Sequence, residues 1–526
     1  MRARSCGQSA CETRRAVGAP SQSSGRDTGQ ARLAASGALT QQLAQVTGLL
    51  VLLAIVTALA RDLSLAELGT YGLTATLAVY LLVIKNSISS SGLRAMTAAA
   101  DEREQVASFS TATVLYAGAA VATGLLILAA GWGISVLVLD GELASEARRG
   151  TALLAAVTAI GLTATVNLDA LRAALRLTRS AANEIAALGV FAALMLGLIA
   201  AGAPLWVLIG ASGSIPLISG AVNFVARRAM GLPFRFERAA VSREQARLIL
   251  PTAGWLLVVE SSNLVIYGLA RVVLGASTSA STVGLYEGPV RAHNVIYALN
   301  QAVGLSTLPL AARYAESGDT RRLRELAVRG SRYSLALVVP LCVTLAVMAT
   351  PVLELWLGER YGGGATALAI LISYWLLWGQ LAVTPGFLVG TGHAREVALI
   401  VASTAAANLA LTLALTPSLE LEGPAIATAV TFAAAFPFAL RLGLRASGAS
   451  LGDLARRAWL PAYGLGVALA GGLLALQELA PVESLGALVA VLAAGPLLYW
   501  AAFAALFLSA SERRLVGQVL RGYRGR

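Results

Sequence analysis

Long apolar runs, separated by short segments that carry most of the charge, constrain the fold of this chain more than any other feature. Of its 526 residues, 57% are hydrophobic and only 13% are charged. A soluble protein carries about a quarter charged residues. A helix of about 20 apolar residues spans a bilayer because it satisfies its own backbone hydrogen bonds. The sequence therefore predicts an all-α polytopic membrane protein, since a β-barrel would show alternating stretches of about ten residues instead.

The apolar runs predict about fourteen membrane-spanning helices. Their approximate bounds are 40–60, 70–90, 107–131, 151–170, 183–202, 204–225, 248–271, 283–310, 331–351, 365–389, 396–416, 423–443, 459–477 and 485–508. Only Ala203 separates the fifth span from the sixth, which begins at Pro204. The count is therefore most sensitive to an error at this link.

The polar segments divide the chain into lobes, a linker and tails. Residues 1–38 are rich in Ser, Gly, Ala and Arg without an apolar period, which predicts a disordered cytoplasmic tail. The remaining expected units are an N-terminal six-helix lobe over 39–230, a basic cytoplasmic linker over 231–247, a C-terminal six-helix lobe over 248–445, two extra helices over 446–510 and a basic cytoplasmic tail over 511–526.

Basic residues alternate between the predicted loops in the pattern that sets membrane topology. With a cytoplasmic N-terminus, 34 of the 40 basic residues fall on the cytoplasmic side. The opposite side holds Arg61, Arg148, Arg149, Arg271 and Arg360. Because cytoplasmic loops carry an excess of Lys and Arg, we predict a multi-pass protein of the cell (plasma or inner) membrane with both termini cytoplasmic. Topology also accounts for the net charge of +12, so nucleic acid is not an expected partner.

An internal repeat relates the two halves of the chain. The segment Gly69-Thr70-Tyr71-Gly72 opens the second span, and Gly284-Leu285-Tyr286-Glu287 opens the eighth, 215 positions later. The same offset places the acidic turn at Asp101 opposite Glu316. Six spans return the chain to the cytoplasm, so the seventh helix crosses the membrane in the same direction as the first. The repeat predicts two parallel six-helix lobes plus two C-terminal helices, an arrangement found in transporters that alternate access.

Short motifs follow one another in order along both lobes. They are Leu68-Gly69, Tyr71-Gly72, Val283-Gly284-Leu285-Tyr286, Leu308-Pro309-Leu310, Gly318-Asp319, Ser331-Arg332-Tyr333-Ser334, Leu355-Trp356-Leu357-Gly358 with Tyr361, Gly390-Thr391-Gly392 and Glu422-Gly423-Pro424-Ala425-Ile426-Ala427-Thr428. Over about residues 40–510, their order and spacing resemble the polysaccharide-biosynthesis flippases of the multidrug/oligosaccharidyl-lipid/polysaccharide exporter superfamily.

The resemblance implies two lobes around a central V-shaped cavity. It also implies transport of a polyprenyl-diphosphate-linked oligosaccharide, or a similar glycolipid, from the inner to the outer leaflet by alternating access. The expected partners are this lipid-linked glycan substrate and membrane lipids. Glycan-assembly enzymes are a further expected class of partner, docking on the basic loops.

Ionisable residues inside the predicted spans mark candidate sites, because each is unfavourable at a helix centre by at least about 2.5–3.5 kcal/mol. Glu260 lies near the middle of the seventh span, and Glu287, Arg291 and His293 lie in the outer half of the eighth. Glu287 and Arg291 are four residues apart, so they share a helical face and can form an ion pair. Asn294, one turn from Arg291, extends this polar surface.

These residues suggest two functions within one transporter. Arg291, together with Arg271 and Lys85, is expected to hold a diphosphate through charge-assisted hydrogen bonds. Glu260 or His293 is expected to bind a coupling proton or cation, because burial readily shifts the proton affinity of both groups. The alternative is structural: Arg291 serves only an ion pair, while Lys85 and Arg271 extend to the membrane interfaces.

Other functions are disfavoured by what the sequence lacks. The sole Lys, Lys85, is not preceded by the glycine pattern of a nucleotide-binding loop, and two His residues cannot form a multi-histidine metal site. We therefore expect no enzyme activity, cofactor or metal. Three rivals to the flippase remain open: a cation-coupled multidrug exporter of the same superfamily, a transport-inactive membrane scaffold for glycan assembly, and a membrane-embedded glycosyltransferase, which the short outer loops oppose.

Overall fold

The computed structural model describes residues 23–305, 308–510 and 512–513 of the protein, and within these residues the chain is helical and contains no strand. In chain order, helices α1 to α20 span Ser23–Asp62, Leu65–Ala98, Glu102–Leu137, Gly141–Ala164, Val166–Ala173, Leu177–Ala200, Leu205–Ser212, Ile215–Ala229, Arg243–Ser277, Ala280–Leu305, Leu308–Glu316, Thr320–Val347, Ala349–Leu357, Ala365–Trp378, Thr384–Gly390, Ala394–Leu419, Glu422–Ser447, Leu451–Leu454, Leu460–Leu479 and Leu485–Phe507.

Ten helical segments of the described chain are long and apolar enough to cross a membrane. The pair α7 and α8, bent by 45°, raises the number to eleven if it forms one span. This bend falls in the predicted sixth span, next to the link where the count was most sensitive. The helices α2, α9 and α10 have 34, 35 and 26 residues but are not among these candidates. The all-α polytopic fold is confirmed, and the count of fourteen spans stays a prediction.

The structure differs from the sequence prediction at the N-terminus. Helix α1 begins at Ser23, so residues 23–38 are helical, whereas the sequence predicts a disordered tail there. Ala, Gln and Arg in residues 30–35 favour a helix, so α1 extends beyond its apolar run. Residues 1–22 and 514–526 lie outside the described residues, and the predicted tails there stay predictions.

Short polar side chains define where several helices begin. At α2, the Ser64 hydroxyl accepts a hydrogen bond from the backbone N–H of Glu67 (3.2 Å), whose carboxylate accepts one from the Ser64 N–H (2.8 Å). At α3 and α12, the Asp101 and Asp319 carboxylates accept hydrogen bonds from the backbone N–H groups of Glu104 and Arg322. These two caps are 218 positions apart rather than 215. The expected pairing of Asp101 with Glu316 is therefore displaced by three residues.

The helices are arranged as two lobes that meet along a seam. Helices before residue 230 pack mainly against one another, and so do those after residue 243. Across the seam, α2 packs against both α9 and α10. The two extra helices, α19 and α20, pack on α12 of the second lobe. This arrangement agrees with the predicted architecture, while the residue boundaries of the lobes stay predictions.

Contacts at the two ends of the bundle group the loops as the charge pattern predicts. At one end, Arg235 pairs with Glu102 at 2.8 Å, joining two segments predicted to be cytoplasmic. At the other end, Arg360 donates a hydrogen bond to the carbonyl oxygen of Leu63 at 2.8 Å, joining two segments predicted to be outside. We call these the inner end and the outer end, and the orientation of the bundle in the cell membrane stays a prediction.

Cysteine labelling of intact cells tests this orientation. We expect Arg238→Cys, in the inner-end linker, to be protected from a membrane-impermeant maleimide, and Glu483→Cys, at the outer end, to react. Both positions are exposed, so the labelling reports the side of the membrane rather than burial. Permeabilised cells, in which both variants should react, serve as the control. The reverse labelling pattern in intact cells would place the inner end outside.

Candidate functional site

The hairpin of α9 and α10 brings a buried ion pair together at the outer end. Arg271 lies six residues before the end of α9, and Glu287 lies seven residues after the start of α10. With a rise of about 1.5 Å per residue, both lie at a depth of about 10 Å. The Arg271 Nε donates to Glu287 Oε1 at 2.5 Å, and each side chain is only 2% exposed. Burial of two charges is tolerated here because they pair directly.

Arg291 adds a second guanidinium to the same carboxylate. Its Nη2 lies 2.9 Å and its Nε 3.1 Å from Glu287 Oε2, so the ion pair predicted from the four-residue spacing is present. One carboxylate between two guanidiniums leaves a net charge of +1. We call Arg271, Glu287 and Arg291 the cation trio. The Arg291 side chain is 16% exposed, so the excess positive charge is the accessible part of the trio.

A polar stripe runs from the cation trio toward the inner end along one face of α10. Asn294 is half-buried and Gln301 is exposed, three and ten residues after Arg291. Asn86, the repeat equivalent of Gln301 on α2, is exposed as well. Polar side chains within membrane spans face water or protein rather than lipid. The stripe of Arg291, Asn294 and Gln301 therefore marks a face of α10 that is turned away from lipid, and the V-shaped cavity stays a prediction.

His293 points away from this stripe into the second lobe. It is 1% exposed, and its Nε2 lies 2.7 Å from the Tyr374 hydroxyl. The Tyr374 hydroxyl lies 3.4 Å from that of Tyr267, whose carbonyl oxygen accepts a hydrogen bond from Arg271. Tyr267 thus contacts both the tyrosine that pairs with His293 and an arginine of the cation trio. The side chain of Glu260 lies outside the described residues, so its coupling role stays a prediction.

Lys85 is not part of the cation trio. It lies thirteen residues along α2 from Gly72, and Gly72 packs against the Glu287 carboxylate. Thirteen residues of helix extend about 20 Å, so Lys85 lies closer to the inner end than Gly72 does, and its part in diphosphate binding stays a prediction. The Lys85 ammonium instead lies 6.0 Å from the centre of the Tyr116 ring. The sequence could not show this, because both residues merely fall within predicted spans.

The two copies of the repeat motif meet at the outer end. A methyl group on Gly69 would lie 1.8 Å from the carbonyl oxygen of Ala280, and one on Gly284 would lie 2.0 Å from that of Leu65. Both contacts are with backbone atoms, which cannot rotate away. Leu65 and Ala280 each precede their own glycine by four residues, so the crossing of α2 and α10 is symmetric. We call this crossing at Gly69 and Gly284 the outer gate.

A second set of contacts joins the lobes beside the outer gate. The Arg360 guanidinium donates to the carbonyl oxygens of Ala60 and Leu63, at the end of α1. A cation is favourable at this position because the carbonyl groups at the C-terminus of a helix carry partial negative charge. The indole N–H of Trp356 donates to the Thr57 hydroxyl at 2.6 Å. The outer end is therefore closed by contacts between the two lobes.

Sequence reasoning missed the pairing of Arg271 with Glu287. The predicted seventh span ended at residue 271, which placed the arginine at the membrane interface. The helix continues to Ser277, so the guanidinium lies inside the bundle. The sequence did contain a signal for this pair, since Arg271 and Glu287 are nearly equidistant from the turn between α9 and α10. Side chains at equal depth on an antiparallel helix pair can meet if their faces match.

The region that contains the cation trio and the outer gate matches a known family. The profile of a family described as "Polysaccharide biosynthesis protein" matches residues 58–365, more than half of the chain. No curated protein sequence matches the chain.

Solved structures with the same fold are membrane transporters. The lipid II flippase MurJ, in an inward closed conformation, superimposes with a TM-score of 0.68 at 11% identity, over 89% of this chain and 98% of that chain. An inward-facing multidrug resistance MATE family transporter of the MOP superfamily gives 0.62 at 15% identity, over 78% and 98%. A MOP superfamily transporter from Pyrococcus furiosus gives 0.58 at 14% identity, over 78% and 95%. At these identities, the similarity establishes a shared fold.

Proposed function

Because the chain belongs to the polysaccharide biosynthesis protein family, we propose that it is a flippase for a polyprenyl-diphosphate-linked oligosaccharide or a similar glycolipid. It moves this lipid from the inner to the outer leaflet by alternating access. The observation that carries the proposal is the net positive cation trio at the end of the polar stripe. A diphosphate is an anion, and a guanidinium binds its oxygens through paired, charge-assisted hydrogen bonds.

The trio is built so that one arginine can exchange partners. Arg271 is 2% exposed and stays with Glu287, whereas Arg291 is 16% exposed and is the more accessible of the two guanidiniums. When Arg291 turns to a diphosphate, Glu287 keeps Arg271 as its counter-charge. No buried ion is then left unpaired, which would otherwise be strongly unfavourable. Asn294 supplies a further polar contact on the same face.

The outer gate then separates the bound headgroup from the outer leaflet. Gly284 lies three residues outward of Glu287, about 4.5 Å along the helix axis. Release to the outer leaflet requires the crossing at Gly69 and Gly284 to open while the inner end closes. The proposal includes a coupling proton or cation at Glu260 or His293. We also propose that the protein lies in the cell membrane and that glycan-assembly enzymes dock on its inner-end loops.

Substitution of Arg291 tests the proposal. We expect Arg291→Ala to lower glycolipid transport about 10- to 150-fold, since a hydrogen bond to a charged group contributes about 1.5–3 kcal/mol. Arg291→Lys should retain part of the activity, because a point charge replaces a planar fork. Transport is measured in vesicles with a fluorescent undecaprenyl-diphosphate-linked oligosaccharide, whose outer-leaflet fraction is quenched by dithionite.

Two controls accompany this measurement. Arg148→Ala removes an exposed arginine at the outer end and should transport at the wild-type rate. Arg291→Ala should keep its thermal unfolding temperature near that of the wild type, because Glu287 retains Arg271. Normal transport by Arg291→Ala would move the anion site elsewhere, and the proposed use of the trio would fail.

A second candidate function is a cation-coupled multidrug exporter, favoured by the MATE transporters that share the fold. The net charge of the cation trio opposes it, because a positive site repels cationic drugs. Depletion of the protein in its native cells separates the two. Lipid-linked glycan that accumulates in the inner leaflet supports the flippase. Unchanged glycan, together with slower extrusion of ethidium, supports the exporter.

A further inference from the structure

An open groove lies on the N-terminal lobe near the inner end. Its volume is about 510 Å³, and its lining comes from α3, α4, α5, α8 and the linker that follows α8. This volume is in the range of sites that bind small molecules. Within the described chain, no lining residue belongs to α2, α9 or α10. The groove is therefore separate from the helices that carry the cation trio and the outer gate.

The wall of the groove is apolar and exposed. Ile160 on α4, Phe224 on α8 and Phe236 in the linker line it, and all three side chains are exposed. On the surface of a membrane-spanning lobe, such side chains contact acyl chains, which are as apolar as leucine. From Ile160 to Asn167, the groove extends about 10 Å. One leaflet of the hydrocarbon core is about 15 Å thick, so part of an acyl chain fits along this wall.

Two arginines from the last turn of α8 lie at one end of the groove. The Arg227 Nε donates to Asn167 Oδ1 at 2.8 Å, and its Nη1 donates to the carbonyl oxygen of Phe234. Both acceptors are neutral, and these bonds leave Nη2 for a further acceptor. Arg228 is exposed, and its Cζ lies 4.8 Å from the centre of the Phe224 ring, while the Arg227 Cζ lies 5.4 Å from it. We call Arg227 and Arg228 the groove arginines.

The acids near this end of the groove pair with other arginines. Glu102 and Glu237 both pair with Arg235, at 2.8 and 2.6 Å. One acid of α5 and one of α6 share Arg172. Among the residues that the structure describes, neither groove arginine forms an ion pair. A buried cation without a counter-charge is strongly unfavourable, and Arg227 is buried, so an anion from outside the chain is favoured here.

We propose that this groove binds an anionic phospholipid from the leaflet at the inner end. Its phosphate oxygens accept charge-assisted hydrogen bonds from Arg228 and from the Nη2 of Arg227, and one acyl chain lies along the apolar wall. Basic pockets between helices on the cytoplasmic side of membrane proteins bind such headgroups. A zwitterionic lipid with the same chains binds less well, because its own cationic group is repelled by the two guanidiniums.

The polar end of the groove is held in shape by contacts of the linker with α3. The Phe234 ring lies 6.1 Å from that of Phe109, and the backbone N–H of Glu237 donates to the Ser110 hydroxyl at 2.9 Å. Phe236, between these two contacts, is thereby fixed in the wall of the groove. A preformed site loses little conformational entropy upon binding, which favours occupation by a lipid.

Lipid titration of the purified, full-length protein, followed by native mass spectrometry, tests recognition of the headgroup. We expect the wild type to retain phosphatidylglycerol in preference to phosphatidylcholine with the same acyl chains. Arg228→Gln should weaken phosphatidylglycerol binding about 5-fold, the contribution of one arginine near an anionic lipid. Arg238→Gln makes the same change in net charge at an exposed position of the linker and should leave this affinity unchanged.

Brominated lipids locate the acyl chain, because bromine quenches tryptophan fluorescence only at short range. Brominated phosphatidylglycerol should quench Ile160→Trp at a lower mole fraction than brominated phosphatidylcholine does. Val430→Trp, at an exposed position of the second lobe, should be quenched equally by the two lipids. Quenching of the eight native tryptophans, measured in the wild type, is subtracted from both variants.

Two results would overturn the inference. If Arg228→Gln binds phosphatidylglycerol as the wild type does, or no more weakly than Arg238→Gln, the groove arginines do not hold the headgroup. If both brominated lipids quench Ile160→Trp equally, the groove contains bulk lipid only. The quenching experiment alters no arginine, so it decides the question even if Arg228→Gln does not fold. Neither experiment uses the transported glycolipid, so failure here is distinguishable from failure of the flippase proposal.

Discussion

Replacing Glu287 with Gln is expected to lower the free energy of unfolding by about 3–5 kcal/mol, because removal of one partner leaves a buried charge uncompensated. The charge in question belongs to Arg271, which is 2% exposed. Gln has nearly the same shape as Glu, so packing is preserved and the loss reports electrostatics. Thermal unfolding in detergent and titration with sodium dodecyl sulfate measure the change.

A second substitution should reverse most of this loss. In the variant that combines Glu287→Gln with Arg271→Met, no fully buried charge remains, so stability should return toward the wild-type value. Glu237→Gln is the matched control, since its partner Arg235 is 60% exposed. Water screens such an exposed pair, so its loss should leave the free energy of unfolding nearly unchanged. If Glu287→Gln is no less stable than this control, the Glu287 carboxylate does not stabilise the fold by neutralising the buried Arg271 guanidinium.

Adding one methyl group at Gly284 should block closure of the outer gate. The methyl carbon of Gly284→Ala would lie 2.0 Å from the Leu65 carbonyl oxygen, so α2 and α10 must separate. Overpacking of this kind is unfavourable by about 1–3 kcal/mol. The equilibrium therefore shifts about 5- to 150-fold toward an open outer end, and glycolipid transport should fall accordingly.

Spin labels across the outer end measure this opening. Labels at Arg61 and Glu359, in a variant whose three native cysteines are replaced by alanine, report the distance between the lobes beside the gate. Gly284→Ala should lengthen that distance, whereas Gly189→Ala should not, because no atom lies within 4 Å of the added methyl group at Gly189. A wild-type distance and normal transport in Gly284→Ala would show that the crossing is not a gate.

The internal repeat shows what a comparison of the two halves of the sequence can predict. It correctly related Gly69 to Gly284, yet it could not indicate that the two glycines contact each other. Equivalent positions in two lobes touch only if they lie on the axis that relates the lobes. The symmetric approach of Leu65 to Gly284 and of Ala280 to Gly69 places the outer ends of α2 and α10 on this axis. Glu287 then meets Gly72, its own repeat equivalent.

Local spacing predicted one half of the site and tertiary packing supplied the other. The pair of Glu287 with Arg291 follows from four residues on one helix, so the sequence contained it. The pair of Glu287 with Arg271 depends on how far α9 extends and which face it turns to α10. The contacts of Asp169 likewise depend on tertiary packing: it lies at the edge of a predicted span, and α5 places it beside the Ser89 and Tyr116 hydroxyls.

The sequence by itself determined the class of fold, the alternation of loops between two ends and the repeat, because each depends on composition or on spacing along the chain. Hydrophobic length decides what spans a membrane, and the distribution of arginine decides which loops share a side. Tertiary structure alone decided that Arg271 is buried rather than interfacial, that Lys85 lies beside the Tyr116 ring, and that His293 faces the second lobe. These outcomes depend on helix rotation and contact between distant segments, which no local pattern encodes.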